Sequence, residues 1–403
     1  MHSMQYTDIS IKTSQFLLRL TGTWMNESNT KESRRRFAMS YTILLHVYAM
    51  YINLTDVYYT WGDLNHWCYA MTNVLCISLA LFKTIAIRIR CTVLNDIIIL
   101  ARQNFWHFKY NHEERMLLKK CREFCNLWTI SICCIAQATW AFYIIVPIYE
   151  NIGRNKSDRT HPVKMWIDLP LSETPYYELI FALQSLTLQQ IGATYVCHDN
   201  FLCVMNMHVI YQFRVLQRKL SNLWKDFGEQ TNSIDFTENC YIALKECIKQ
   251  HQLLIEFCEK LKFVYMLPIL SDVVAFSILM CLHTYEILLA DVSILTRFIS
   301  IFHIAGNFTY IIFFTYVCHG LMEESTNIGM ATYSVWWEVL PMTESGRKLR
   351  KDMRIMIMKS LQPCYLSAGG FFPVTLQTST ALISSTLSYF TLMRESSMRN
   401  SKE

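Results

Sequence analysis

Asn126–Tyr149 reads NLWTISICCIAQATWAFYIIVPIY, 24 residues without a formal charge. A helix needs about 20 mostly apolar residues to cross the hydrocarbon core of a bilayer, so this stretch can span one unaided. Six more candidates lie on either side of it. Phe37–Thr55 and Phe298–Met322 are charge-free, and Trp67–Ile87 is interrupted only by Lys83, near enough to one end to reach the surface. Leu179–His198 is more polar, with Gln184, Gln189 and Gln190, and Phe263–Leu289 is broken by Asp272 and Glu286. The last, Leu361–Met393, carries no charge.

Composition agrees. The chain has 403 residues, 52% apolar and only 17% charged, against about 25% charged in an ordinary soluble protein. Gly (11) and Pro (8) are too few for disorder, collagen-like repeats or a loop-rich secreted scaffold. The fold class is therefore all-α, a polytopic membrane protein with seven transmembrane helices.

Lysine and arginine give the orientation. They number six before the first span, eight in 88–122, eight in 214–262 and six before the last span. The alternate segments hold none, four, one and three, so the division is 28 against 8. By the positive-inside rule the N-terminus is cytoplasmic and the C-terminus extracellular. Met1–Arg36 is polar and ends in Arg34-Arg35-Arg36, which reads as a cytoplasmic anchor rather than a cleavable leader. Asn155-Lys156-Ser157, a glycosylation sequon, falls in a loop predicted to face outward.

Helix breakers add a second expectation. Neither Gly nor Pro occurs between Gly192 and Gly228, so the fourth span can run on as a helix far longer than a bilayer of about 30 Å needs. Residues 211–262 become a cytoplasmic helical extension, and Leu216, Leu220 and Leu223 form a stripe there. A basic helix over Ser345–Ser360 carries a second stripe, Leu349, Met353 and Met356. Such stripes need partners: they pack on neighbouring helices of the same chain or also, as candidate subunit contacts, on neighbouring subunits, and the basic helix could instead lie on the membrane surface. Pro363 and Gly369-Gly370 then form a hinge, and the crossing helix is expected from Phe371 to Met393. The domain plan is a cytoplasmic segment 1–36, six spans with their loops over 37–343, and 344–403 as basic helix, hinge, last helix and short extracellular tail.

No Walker loop, G-x-G-x-x-G, H-E-x-x-H or G-x-S-x-G is present, so no enzyme chemistry, metal or cofactor is expected. The fifteen cysteines contain no C-x-x-C and read as small hydrophobes within a bundle; Cys121 and Cys125 alone pair at helical spacing outside the apolar stretches. His198-Asp199 reads as a hydrogen-bonded pair within the bundle, and Asp272 should face the bundle interior or a cavity. With its basic residues scattered through loops, the chain offers nothing to nucleic acid.

Ser367-Ala368-Gly369-Gly370-Phe371-Phe372, Thr380 and Ser388-Tyr389-Phe390-Thr391-Leu392-Met393-Arg394 resemble the C-terminal signature of insect odorant receptors. Only this final third is distinctive by motif; the rest resembles the family in layout. The related gustatory receptors carry a Thr-Tyr motif followed by a Gln that is missing here. A metabotropic seven-helix receptor would need an outward N-terminus, and a secondary transporter would show internal repeats.

The resemblance implies an odour-gated, non-selective cation channel in the plasma membrane of olfactory sensory neurons. It further implies a heterotetramer with an odorant co-receptor subunit, a small volatile organic ligand in the outer half of the bundle, and a central pore lined by the last helix. Translated onto this chain, the candidate ligand contacts are Tyr69, Thr72 and Cys76 on span two, with Gln137, Trp140, Tyr143 and Ile144 on span three. Phe181 and Leu188 join them from span four, and Phe302 and Gly306 from span six. Leu392 matches the family's hydrophobic gate position, and Glu395 follows nearly one turn later.

Overall fold

The computed structural model describes residues 8–24, 29–106, 110–155, 158–166, 170–222, 234–290, 294–334 and 343–400. In chain order the helices are α1 (Ile9–Leu20), α2 (Asn29–Tyr59), α3 (Leu64–Ile89), α4 (Cys91–Ala101), α5 (His112–Glu150), α6 (Tyr176–Asn222), α7 (Ile234–Leu288), α8 (Ile294–Tyr333), α9 (Glu344–Ser360) and α10 (Leu376–Asn400). A π-turn at Arg102–Trp106 continues α4, and a two-stranded hairpin, β1 (Ser367–Ala368) and β2 (Phe372–Pro373), precedes α10.

Helices α2, α3, α5, α6, α7, α8 and α10 contain the seven expected spans. Five of them are apolar enough to cross a membrane on composition alone; α6 and α10 are not among these. The fifth span, which Asp272 and Glu286 interrupt in the sequence, has the most apolar window of all, with a mean hydropathy of 2.0. Its two carboxylates are buried and held by side chains from other helices, so they impose no cost at the lipid face.

At 1.5 Å per residue, the 47 residues of α6 and 55 of α7 reach far beyond a bilayer about 30 Å thick. Their extensions pack with α1, α4, the inner end of α8 and α9 into one continuous core. Here the structure corrects the expectation of subunit contacts. Leu216, Leu220, Leu349, Met353 and Met356 are all buried inside their own chain. Both stripes join the core shared by α6, α7, α8 and α9 within one chain, and their side chains are buried there. Leu223 lies outside the described residues.

Two helices escaped the sequence reading. Helix α1 starts at Asp8, whose carboxylate accepts from Ser10 N at 3.1 Å as an N-cap. Helix α4 fills part of what read as a plain basic loop.

The hinge also differs from expectation. Gly369 and Gly370 adopt φ of +61° and +83°, conformations that cost glycine little, and turn the chain into the hairpin. Ser367 pairs with Pro373 and Ala368 with Phe372. Gly369 N–H donates to Met266 O at 2.8 Å, docking the turn on α7. A Cβ at Gly369 would come within 2.7 Å of Leu270 Cδ2. Phe371–Thr375 is thus spent on the hairpin and its exit, and the last helix begins at Leu376 rather than Phe371.

Candidate functional site

Between α2, α3, α5, α6 and α8 lies a cavity holding about 1250 Å³ of space between atoms, part of it continuous with the exterior. By the charge-based orientation it occupies the outer half of the bundle: Tyr48–Asn53 sit late on the outgoing α2, and Gln184–Gly192 early on the incoming α6. Its walls are mainly apolar and aromatic, including Ile52, Ile77, Ile132, Trp140, Leu188 and Phe302. A few polar groups interrupt them, the composition that suits a small, weakly polar ligand.

Those polar groups are already tied to one another. Tyr143 OH donates to Asn73 Oδ1 at 2.9 Å and lies 3.5 Å from His303 Nε2. Tyr195 OH donates to Asn307 Oδ1 at 2.8 Å, and Trp140 Nε1 donates to Ser185 O at 3.1 Å. Gln184 reaches into the outer loop: its Oε1 accepts from Val163 N at 3.0 Å and its Nε2 donates to Val163 O at 2.9 Å. That exchange sets Val163 against the cavity. Trp166 pins the same loop to α2 by donating to Asp56 Oδ1 at 2.8 Å and stacking on Tyr59.

Asp199 and Tyr310 line the inner end. Beneath them Lys83, fully buried, forms ion pairs with Asp199 (2.6 Å) and Asp272. Tyr310 OH donates to Asp272 Oδ2 at 3.2 Å, and the ammonium lies 5.1 Å from the Tyr195 ring centroid. This corrects the reading of Lys83 as a residue reaching for the membrane surface. Two carboxylates on other helices hold it inside, joining α3, α6 and α7. It also gives Asp199 its partner, while the adjacent His198 lies 3.4 Å from Thr84 Oγ1.

Of the sequence-derived contacts, Cys76, Trp140, Tyr143, Leu188, Phe302 and Gly306 line the cavity. The other five are elsewhere. Tyr69 packs behind Tyr143, and Thr72 donates to Glu286 Oε1 at 3.1 Å. Gln137 is exposed on the outer surface of α5, Ile144 is half-buried off the cavity wall, and Phe181 packs on Tyr177. Helical rotation explains the misses: span position was readable, but not which 100° sector of each helix faced inward. Asn73, Thr139, Gln184, Thr187, His303 and Asn307 line the cavity and were not anticipated; a polar residue one turn from a predicted contact was the available signal.

Helix α10 packs mainly on α7 and α8, and one side of it is exposed along much of its length. Leu392, 63% exposed, and Glu395 lie on that exposed side near the outer end. Asn155 is exposed in the α5–α6 loop, while Lys156 and Ser157 of its sequon lie outside the described residues.

Comparison with known proteins places this architecture. The chain is 24% identical over 226 residues to Odorant receptor Or2 of Anopheles gambiae, covering 55% of this chain and 57% of that one. It is 25% identical over 241 residues to Odorant receptor 30a of Drosophila melanogaster, covering 59% and 60%. These alignments span less than two thirds of either relative. The solved insect olfactory receptor OR5 from Machilis hrabei in complex with eugenol superposes with a TM-score of 0.80 over 96% of this chain and 97% of that one, at 14% identity. At that identity the match establishes the shared seven-helix fold. Residues 63–387 match the family model described as 7tm Odorant receptor, and the chain belongs to the insect odorant receptor family of multi-pass membrane proteins.

Proposed function

We propose that this chain is the odour-binding subunit of a ligand-gated, non-selective cation channel in the plasma membrane of olfactory sensory neurons. The observation that carries the reading is the largely apolar cavity in the outer half of the bundle, with Trp140, Tyr143 and Phe302 in its wall. A small volatile organic molecule binds there, touching Cys76, Trp140, Tyr143, Leu188, Phe302 and Gly306. The Machilis receptor was solved in complex with eugenol.

Helix α7 carries the signal to the pore. Asp272 of α7 joins the cavity's inner end through Lys83, and Met266 of α7 holds the hairpin that introduces α10. Farther out, Ser277 Oγ donates to Leu382 O at 3.5 Å. A ligand that favours one arrangement of α7 against the cavity shifts α10 with it, by as much as its affinities for the two states differ. Four last helices surround a central pore for cations, those of the co-receptor subunits included. Leu392 forms a hydrophobic constriction that closes by dewetting, and Glu395 faces permeating ions. The exposed side of α10 is the surface this assembly needs.

Expression in cells with and without a co-receptor, under odour and with G-protein signalling blocked, tests the reading. Odour-evoked cation current that requires the co-receptor and survives the block supports it. Current abolished by the block assigns the chain to a metabotropic mechanism instead.

A further inference from the structure

Cys121 and Cys125 stand one turn apart near the inner end of α5, both buried. Their sulfurs are 4.0 Å apart, and His208 of α6 turns Nδ1 to within 3.9 Å of Cys121 Sγ. The two sulfurs and the imidazole nitrogen all lie within 4.8 Å of one another. Such separations are those of ligand atoms around one small ion, since Zn–S bonds of about 2.3 Å and Zn–N bonds of about 2.0 Å at tetrahedral angles bring donors to within about 4 Å.

The surroundings of His208 fit the same role. Its other ring nitrogen, Nε2, lies 3.6 Å from Asp8 Oδ2, and neither atom has a hydrogen-bond partner closer than this. Metal-bound histidines commonly direct their second nitrogen at a carboxylate, which fixes the ring and strengthens the donor. Asp8 Oδ1 is occupied by Ser10, so the carboxylate is itself held. The Trp106 ring packs on the imidazole edge.

We infer that Cys121, Cys125 and His208 form a binding site for one thiophilic d10 cation, zinc or cuprous copper, with Asp8 as the carboxylate that positions His208. Soft thiolates select these ions over magnesium or calcium. A cuprous ion is content with three donors; zinc takes a fourth from water or from the Met207 carbonyl, which lies 3.8 Å from Cys121 Sγ. Because Asp8 is the N-cap of α1, the occupied site clamps α1 to α5 and α6. None of its three ligands lines the odour cavity, although Trp128, the next turn of α5 beyond Cys125, does; its role is to fix the inner domain rather than to touch the ligand.

The test is the metal content of the full-length protein, purified in detergent without chelator or added metal and measured by plasma mass spectrometry. The site predicts about one zinc or one copper per chain, the two readings separating the ions, and loss of that metal in Cys121→Ser/Cys125→Ser. Asp8→Asn should retain the ion but release it to a chelator about 10- to 100-fold more readily. Wild-type protein stripped and reloaded with cobalt should show a thiolate-to-cobalt charge-transfer band, a readout independent of whether any variant folds. Wild type without stoichiometric metal and without the cobalt band would overturn the site. Metal retained in the double serine variant would overturn it equally.

Discussion

Replacing Lys83 by methionine isolates the strongest electrostatic feature of the bundle. The ammonium is fully buried between Asp199 and Asp272, and methionine keeps the length of the side chain while removing its charge. Taking one member from a buried ion pair costs about 3–5 kcal/mol, because the partner is left uncompensated. At about 1.4 kcal/mol per factor of ten, the ratio of folded to unfolded protein should fall by about two to four decades. Asp272→Asn is the control. It leaves Lys83 paired one to one with Asp199 and should cost less. A triple variant that also neutralises both carboxylates, Lys83→Met/Asp199→Asn/Asp272→Asn, should recover most of the loss. Thermal melting of detergent-solubilised protein followed by fluorescence-detected size exclusion ranks the four. A Lys83→Met protein as stable as wild type, or an Asp272→Asn protein worse than Lys83→Met, would refute the assignment of Lys83 as the charge that holds three helices together.

Tyr143→Phe removes the hydroxyl that joins Asn73 and the neighbourhood of His303; a typical hydrogen bond is worth about 0.5–1.5 kcal/mol, so odour dose–response curves should move by about 2- to 10-fold. Leu392→Ser should wet the constriction and raise odour-independent current at matched surface expression, and Glu395→Gln should change cation permeability ratios. Burial, aided by the Lys359 charge, depresses the inner-domain His251 to about 4. Its unfolded form binds more protons between pH 6.5 and 4, so stability should fall as pH drops through that window, by up to about 3 kcal/mol, and His251→Asn should flatten the profile. An N-terminal tag should stay hidden in unpermeabilised cells while a C-terminal tag is stained; the reverse would overturn the orientation.

What the sequence disclosed was whatever repeats locally. Apolar runs gave the seven spans, the absence of Gly and Pro gave the overlong α6, and Gly369-Gly370 marked the hinge. Partners far apart in the chain were not legible. Lys83 meets Asp199 and Asp272 only because α3, α6 and α7 converge, and nothing near position 83 advertises either carboxylate. The stripes through Leu216 and Leu349 announced burial without saying against what; the structure turns them inward. Cavity residues were half legible for the same reason. Cys76 and Tyr143 fell on the inward sector of their helices, and Thr72 and Gln137, on those same helices, did not. The hairpin at Ser367–Pro373 stayed hidden because its strands are two residues each, too short for any periodicity to show.

The most direct test of the account is a recording from excised outside-out patches carrying this chain and a co-receptor, with no nucleotide or soluble protein on the inner face. Odour applied to the outer face should open single cation channels at once, and Trp140→Ala should shift the odour concentration required without changing unitary conductance. Patches that stay silent until cytosolic factors are restored, or a Trp140→Ala channel with unaltered odour sensitivity, would contradict it.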